Sequence, residues 1–338
     1  MFRFVAVAFL SLSVPAVALP LDMQAVNDAQ WAQRPKVRGR IAPIMIKAQV
    51  LLDRARFSPG EIDGKSGENF SKALMAFTSY SGLNSSGQLT EEAWRELTSP
   101  SSEPVLVEYT ISDEDARGPF VPSIPKTLEA MKDLPALGYT SAREKIAEKF
   151  HMSEDLLQTL NPGERFDTAG HKIVVTNVAT GDLPARVTRI EVDKSAKAVK
   201  AFGRDQRLLA SYPATIGSAE KPAPSGQLTV TGVSKNPTYR YNPKYEFKGV
   251  RATKPFTIKP GPNNPVGVVW IGLSREGYGI HGTPDPSKVS KTASHGCIRL
   301  TNWDALSLAF ATAKGTIVDF TGDGEADRTV GQKARRRK

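Results

Sequence analysis

The chain has little of what would fix a function class by itself. Its 338 residues hold one cysteine and four histidines. A single thiol cannot build an internal disulfide framework. The five side chains of those two types leave little for a structural zinc centre, which takes four ligands. Beyond the N-terminus no apolar run approaches the roughly 20 residues that a membrane-spanning helix needs. Apolar residues make up 40% and charged residues 24%, which excludes a disordered chain and a multi-span membrane protein. At roughly 150 residues per domain the length predicts about two domains, or three if some are small.

What is present begins with an export signal. Arg3 precedes an apolar run, and small residues stand at Ala16 and Ala18. This is the pattern of a secretory signal over residues 1–18, with cleavage predicted after Ala18. The alternative, an uncleaved anchor, is opposed by the shortness of the run. No cysteine stands directly after the signal, which argues against a lipoprotein anchor. The expected location is the periplasm or cell wall, with no transmembrane span after cleavage.

Lys and Arg total 45 against 35 Asp and Glu, a formal charge of +10. Lys333, Arg335, Arg336, Arg337 and Lys338 carry half of that excess, so residues 322–338 read as a basic tail. It either solvates the chain end or meets an acidic envelope polymer or membrane surface. Nucleic acid is not an expected partner for an exported protein.

Residues 41–98 read as a small helical unit. Ala48, Leu51, Leu52 and Ala55 share one helical face, as do Phe70, Ala73, Leu74 and Phe77. Between them lies a loop broken by Pro59, Gly60, Gly64 and Gly67. A third short helix is predicted from Thr90 through Trp94 and Leu97. Residues 99–137 read as a linker with some extended structure. In 138–178, Ser141 and Glu144 form a capping-box signature, Ser153 opens a second helix, Asn161-Pro162-Gly163 stops it, and Ile173-Val174-Val175 predicts a strand. From residue 186 the apolar period changes to two, predicting a β-rich barrel or sandwich. One helix interrupts it, capped by Thr301 and ended by Gly315.

Two histidines and the only cysteine fall within 17 residues, from His281 to Cys297. The count alone leaves Cys297 open between a reactive thiol and a buried inert one. Its neighbours decide. A free thiol titrates near ~8.5, and an imidazole close by can take its proton. Gly296 allows a sharp turn before the sulfur, and the amides of Gly296 and Cys297 are natural donors to an oxyanion. The helix after Cys297 is expected to lower the thiol pKa further through its positive end.

The motif Tyr278-Gly279-Ile280-His281-Gly282-Thr283, a spacer, and Ser294-His295-Gly296-Cys297-Ile298-Arg299-Leu300 resembles the L,D-transpeptidase catalytic domain of YkuD type. The likeness spans about residues 186–321 and includes Trp270-Ile271-Gly272-Leu273. It implies a mostly-β catalytic domain and a cysteine acyl-enzyme. Carried over by position, Cys297 is the nucleophile, His281 the general base and acid, and the Gly282 carbonyl the group that holds the imidazole tautomer. His295 and Ser294 shape the site, Gly296 serves the oxyanion, Arg299 orients the loop or pairs with a substrate carboxylate, and Tyr278 lines the donor pocket.

The resemblance also implies the reaction: attack on the third residue of a peptidoglycan tetrapeptide stem, loss of D-Ala, and transfer to an amine or to water. An amine acceptor gives a 3→3 cross-link or attaches an envelope protein; water gives an L,D-carboxypeptidase. Carbapenems are implied acylators of Cys297, and no cofactor or metal is needed. The loop around Pro59–Gly67 and its flanking helices resemble a three-helix peptidoglycan-binding domain, with Thr78 where that family usually has Gln. Residues 138–178 resemble a LysM module, without its usual Gly-Asp before the first helix or its Pro after the last strand. Both imply contact with cell-wall glycan; the alternative for the first is a structural spacer. The expected architecture is thus multidomain α+β, with the two small modules before the catalytic domain.

Three rivals stand beside this reading. A zinc hydrolase using His281, His295 and Cys297 lacks the His-Glu-x-x-His signature. A papain-like protease lacks the expected segment around its cysteine. A wall-binding protein with a dead catalytic fold would usually have lost the nucleophile or base type, and both are present. His151 and His171 read as surface or packing residues, Trp270 and Trp303 as core, and Asp304 as a helix cap.

Overall fold

The computed structural model describes residues 21–31, 39–179, 181–218, 221–245, 250–294 and 296–322. The signal stretch, His295 and all but the first residue of the basic tail lie outside them. The helices are α1 (Met23–Asn27), α2 (Pro43–Arg54), α3 (Glu68–Tyr80), α4 (Glu91–Thr98), α5 (Asp113–Arg117), α6 (Leu128–Met131), α7 (Ala142–Lys149), α8 (Glu154–Leu160) and α9 (Asn302–Ala311). The strands are β1 (Leu106–Thr110), β2 (Lys172–Thr176), β3 (Val187–Asp193), β4 (Ala198–Phe202), β5 (Leu208–Pro213), β6 (Thr215–Ile216), β7 (Gly226–Lys235), β8 (Tyr239–Tyr241), β9 (Phe256–Ile258), β10 (Val269–Leu273), β11 (Gly279–His281), β12 (Ile298–Arg299) and β13 (Thr312–Thr321). Among the described residues no helix is long and apolar enough to cross a membrane.

Local chemistry explains the helix starts. The hydroxyls of Thr90, Ser141, Ser153 and Thr301 each accept the amide of the residue three positions on, satisfying a donor that the first turn leaves free. Glu144 reaches back to the amide of Thr140 at 2.6 Å, one residue before the expected box partner.

The first body holds α1–α4 together with β1, β2, α7 and α8. One core joins them, with Leu52, Leu74, Leu106, Ile146, Leu157 and Val175 buried in it. The stretch read as a linker supplies β1, which pairs antiparallel with β2 from Leu106↔Thr176 to Thr110↔Lys172. Its alternation is weak because only Leu106 of the strand is buried. Its partner lies more than sixty residues on, so the pairing is invisible to a local reading.

The second body is mostly β and barrel-like. Nine strands run in the order β5-β4-β3-β13-β7-β10-β11-β12-β6. Strand β7 is the joint: Gly226–Thr229 pair with β13, and Val230–Lys235 with β10. A second core fills the inside, and α9 packs its Ala305, Leu308 and Ala309 into it. The expected helix stop at Gly315 is corrected. Helix α9 ends at Ala311 and the chain passes straight into β13. Gly315, at φ +89°, lies where the β13–β3 register shifts between Thr312 and Ile317, so its left-handed backbone serves a bulge.

The two bodies are docked along a polar seam. Phe57 bridges Ser211 on β5, and the Ser58 amide donates to the Ser211 carbonyl at 2.9 Å. Asn69 Nδ2 donates to the Val289 carbonyl at 3.1 Å, and Lys72 Nζ to Ser290 Oγ at 2.5 Å. These last two fix the loop that leads to Cys297.

Candidate active site

The site is built on the short parallel pair β11–β12. Ile280 lies beside Ile298 and His281 beside Arg299. Both isoleucines are fully buried, so alternation turns the residues on either side of them to the opposite face. Gly279, His281, Cys297 and Arg299 therefore share that face. His281, Cys297 and Arg299 all line one open cleft of about 1590 Å³.

His281 is 3% exposed. Its Nδ1 lies 2.7 Å from the Gly282 carbonyl. A carbonyl only accepts, so Nδ1 carries the proton and Nε2 keeps its lone pair. Burial pulls the imidazole down to about 3, with the Arg299 charge adding to it and the Gly282 carbonyl opposing. The ring is neutral at neutral pH. On its other side β10 sets Trp270 opposite His281, and the rings stack at 5.4 Å and 20°.

Cys297 is half-buried and its sulfur lies 3.5 Å from the Gly277 carbonyl as a donor. Burial pushes its thiol up, against the Gly279 backbone and the Arg299 charge. The expected lowering by the helix is thus corrected. Strand β12 and the Thr301 cap stand between Cys297 and the first turn of α9, and a helix end acts only over its own turn. Resting electrostatics favour a neutral thiol and a neutral imidazole, both lining the cleft.

The loop before the sulfur is tightly held. Ser294 is buried; its amide donates to the Gly217 carbonyl at 2.9 Å and its hydroxyl to the Cys297 carbonyl at 2.6 Å. Gly296 has φ +98°, and a Cβ there would come within 2.9 Å of the Tyr278 ring. Tyr278 lines the cleft, with the Arg275 guanidinium 4.9 Å over its ring. Arg299 Nε is buried with no hydrogen-bond partner among the described residues. His295 falls outside them.

Sequence reasoning missed several parts of the cleft. Trp270, read as core, is half-buried and lines it; the signal was period two, since Val269, Ile271 and Leu273 turn inward. Lys126, Thr127, Leu128 and Glu129, from the supposed linker, form one wall. Glu129 clasps the amides of Arg251 and Ala252 at 2.7 and 3.3 Å. Six Lys and Arg line the cleft against two Glu, so it favours anionic occupants.

Outside the cleft, His151 stacks on Trp303 at 5.0 Å and bonds Asp53 at 2.9 Å. The expected cap at Asp304 is corrected: Thr301 caps α9 and accepts the Asp304 amide, while the Asp304 carboxylate accepts the Ser58 hydroxyl at 2.9 Å across the seam. Among the described residues no group of three His, Cys, Asp or Glu is placed to hold a metal ion.

Residues 187–320 match YkuD, the L,D-transpeptidase catalytic domain. A putative L,D-transpeptidase YkuD of Bacillus licheniformis is 30% identical over 181 residues, which cover 53% of this chain and 92% of that protein. Its namesake in Bacillus subtilis is 29% identical over 177 residues, covering 51% and 89%. Among solved structures, an L,D-transpeptidase from Mycobacterium smegmatis superposes with a TM-score of 0.33 at 20% identity, over 46% of this chain and 64% of that one.

Proposed function

The chain belongs to the L,D-transpeptidase family with a YkuD-type catalytic domain, and from that premise we propose that Cys297 and His281 carry out acyl transfer on peptidoglycan stem peptides. The observation that carries this reading is the Gly282 carbonyl bond to His281 Nδ1, which leaves Nε2 as a base on the face shared with the thiol.

Nε2 takes the thiol proton as sulfur attacks the carbonyl of the third, diamino-acid residue of a tetrapeptide stem. The amides of Gly296 and Cys297 donate to the tetrahedral oxyanion. Imidazolium returns the proton to the departing nitrogen, D-Ala leaves, and a thioester remains. Neutral His281 deprotonates the incoming amine, the amine displaces sulfur, and the thiol is restored. A stem amine yields a 3→3 cross-link and an amine on an envelope protein yields an anchored protein; water yields a tripeptide. Arg299, whose buried Nε has no hydrogen-bond partner among the described residues, is assigned to a substrate carboxylate. Tyr278 is assigned to the donor wall, and Ser294 and His295 to the shape of the loop. A carbapenem acylates the same sulfur.

The first body is assigned to wall contact, in an exported protein. The three helices around Pro59–Gly67 support a peptidoglycan-binding role. Helices α7 and α8 followed by β2, which pairs with β1, support the LysM-like reading of residues 138–178.

The test is incubation of the parent and Cys297→Ala with tetrapeptide sacculi. D-Ala release by the parent alone is expected, and muropeptide analysis names the acceptor. Equal release by both proteins refutes the cysteine mechanism. Equal binding with release by neither makes the protein an adhesin.

A further inference from the structure

The imidazole is held by a carbonyl, and the peptide unit that bears this carbonyl is tied to the other body. Next to Gly282, the Thr283 amide donates to Asn302 Oδ1 at 3.1 Å, and the Val268 amide to the same oxygen at 3.3 Å. The fit is tight: a Cβ on Gly267 or Gly282 would come within 2.1 or 2.2 Å of that oxygen. With Oδ1 committed to two donors, Asn302 Nδ2 must point away. It donates to the Pro262 carbonyl at 3.2 Å and to Glu148 Oε2 at 2.9 Å.

Glu148 lies on α7, 154 positions earlier, outside the family-matched span. Its other oxygen accepts the Tyr139 hydroxyl at 2.8 Å. Burial pushes its carboxyl up to about 7, with Glu144 pushing the same way and Asn302, Tyr139 and His151 opposing. The charged group facing His281 is Arg299.

Resting on the reading of His281 as the base, we propose that Glu148 is a positioning residue: it orients the Asn302 amide, which fixes the Gly282–Thr283 segment and so the tautomer and direction of His281. The first body then completes an active site that the second body carries. What Asn302 needs is an acceptor; charge is secondary, so a glutamine carbonyl serves.

The full chain has one cysteine, so iodoacetamide reports on Cys297 alone. Its alkylation rate across pH 5–10, D-Ala release from tetrapeptide sacculi, and the thermal midpoint are measured for four variants. Glu148→Met keeps the volume and removes both acceptors; Glu148→Ala guards against its misfolding. Both are expected to lower kcat roughly tenfold with KM little changed, and to move the alkylation profile, as a small misplacement of a catalytic group does. Glu148→Gln is expected within about twofold of the parent. Tyr139→Phe is expected to lower the midpoint and leave the profile in place.

Parent-like kcat and profile in both Met and Ala variants overturn the proposal, whatever their midpoints. So does a Gln variant as impaired as Met, or a Tyr139→Phe variant that shifts the profile as far. Activity in Cys297→Ala would instead overturn the underlying mechanism, which keeps the two failures apart.

Discussion

Gly279→Ala isolates the contact between Trp270 and the base. Gly279 sits in β11 two residues before His281. A Cβ there would lie 2.5, 2.7 and 2.8 Å from three atoms of the Trp270 indole. Ordinary contact begins at 3.4 Å, so the ring must withdraw by about 0.9 Å. That ring is the surface on which His281 stacks, and His281 is buried too closely to stay behind unaltered. Overpacking of this kind costs about 1–3 kcal/mol of stability. A shift near 1 Å at a catalytic group costs up to ~100-fold in rate. The assay is D-Ala release from tetrapeptide sacculi, with near-ultraviolet circular dichroism following the indole and thermal unfolding following stability. Gly272→Ala is the comparison: its Cβ meets Thr231 Oγ1 at 3.0 Å and the edge of the same indole at 3.3 Å, so its effect should be several-fold smaller. A Gly279→Ala protein with parent-like turnover and an unmoved aromatic spectrum would refute the claim that the indole positions the base.

Two further outcomes are expected. Asp304 has its carboxyl pushed up to about 7 by burial, so the folded protein keeps a proton that the unfolded chain releases near ~4. Its contribution to stability is full below that value and is lost as pH rises to about 7. Asp304→Asn should therefore flatten the decline in thermal midpoint between pH 5 and 8, with Glu148 and His281 titrating alike in both proteins; an unchanged slope would sink this account. Lys126→Glu reverses one charge on the cleft wall and should lower kcat/KM for stem peptides by about three- to tenfold at low salt, the difference shrinking at high salt. A salt-independent effect would count against electrostatic attraction of the stem.

The proposed catalytic residues were legible because their chemistry is compressed into a short segment and the strand period around it is regular. Four helix starts were legible for an equally local reason, a hydroxyl within reach of the amide three residues on. The failures share a cause as well. Strand β1 is half-exposed, and its partner is remote in the chain. Gly315 follows a helix closely enough to look like a stop, yet it serves a bulge that only the β3 register reveals. Trp270 has the size and apolarity of a core residue, and only the burial of Val269, Ile271 and Leu273 turns it toward the cleft. The thiol pKa followed burial, which proximity in sequence does not report. Glu148 could not be found at all, because nothing local links α7 to the start of α9.

The docking seam bears on how small a working fragment can be. Cutting the chain ahead of β3 would keep the whole family-matched span, yet in one stroke it would deprive Asp304 of Ser58, the Val289 carbonyl of Asn69, Ser290 of Lys72, and the Arg251 and Ala252 amides of Glu129. A recombinant piece trimmed to the family-matched span would lose all of these partners at once, and its behaviour would describe a wounded protein more than an isolated domain.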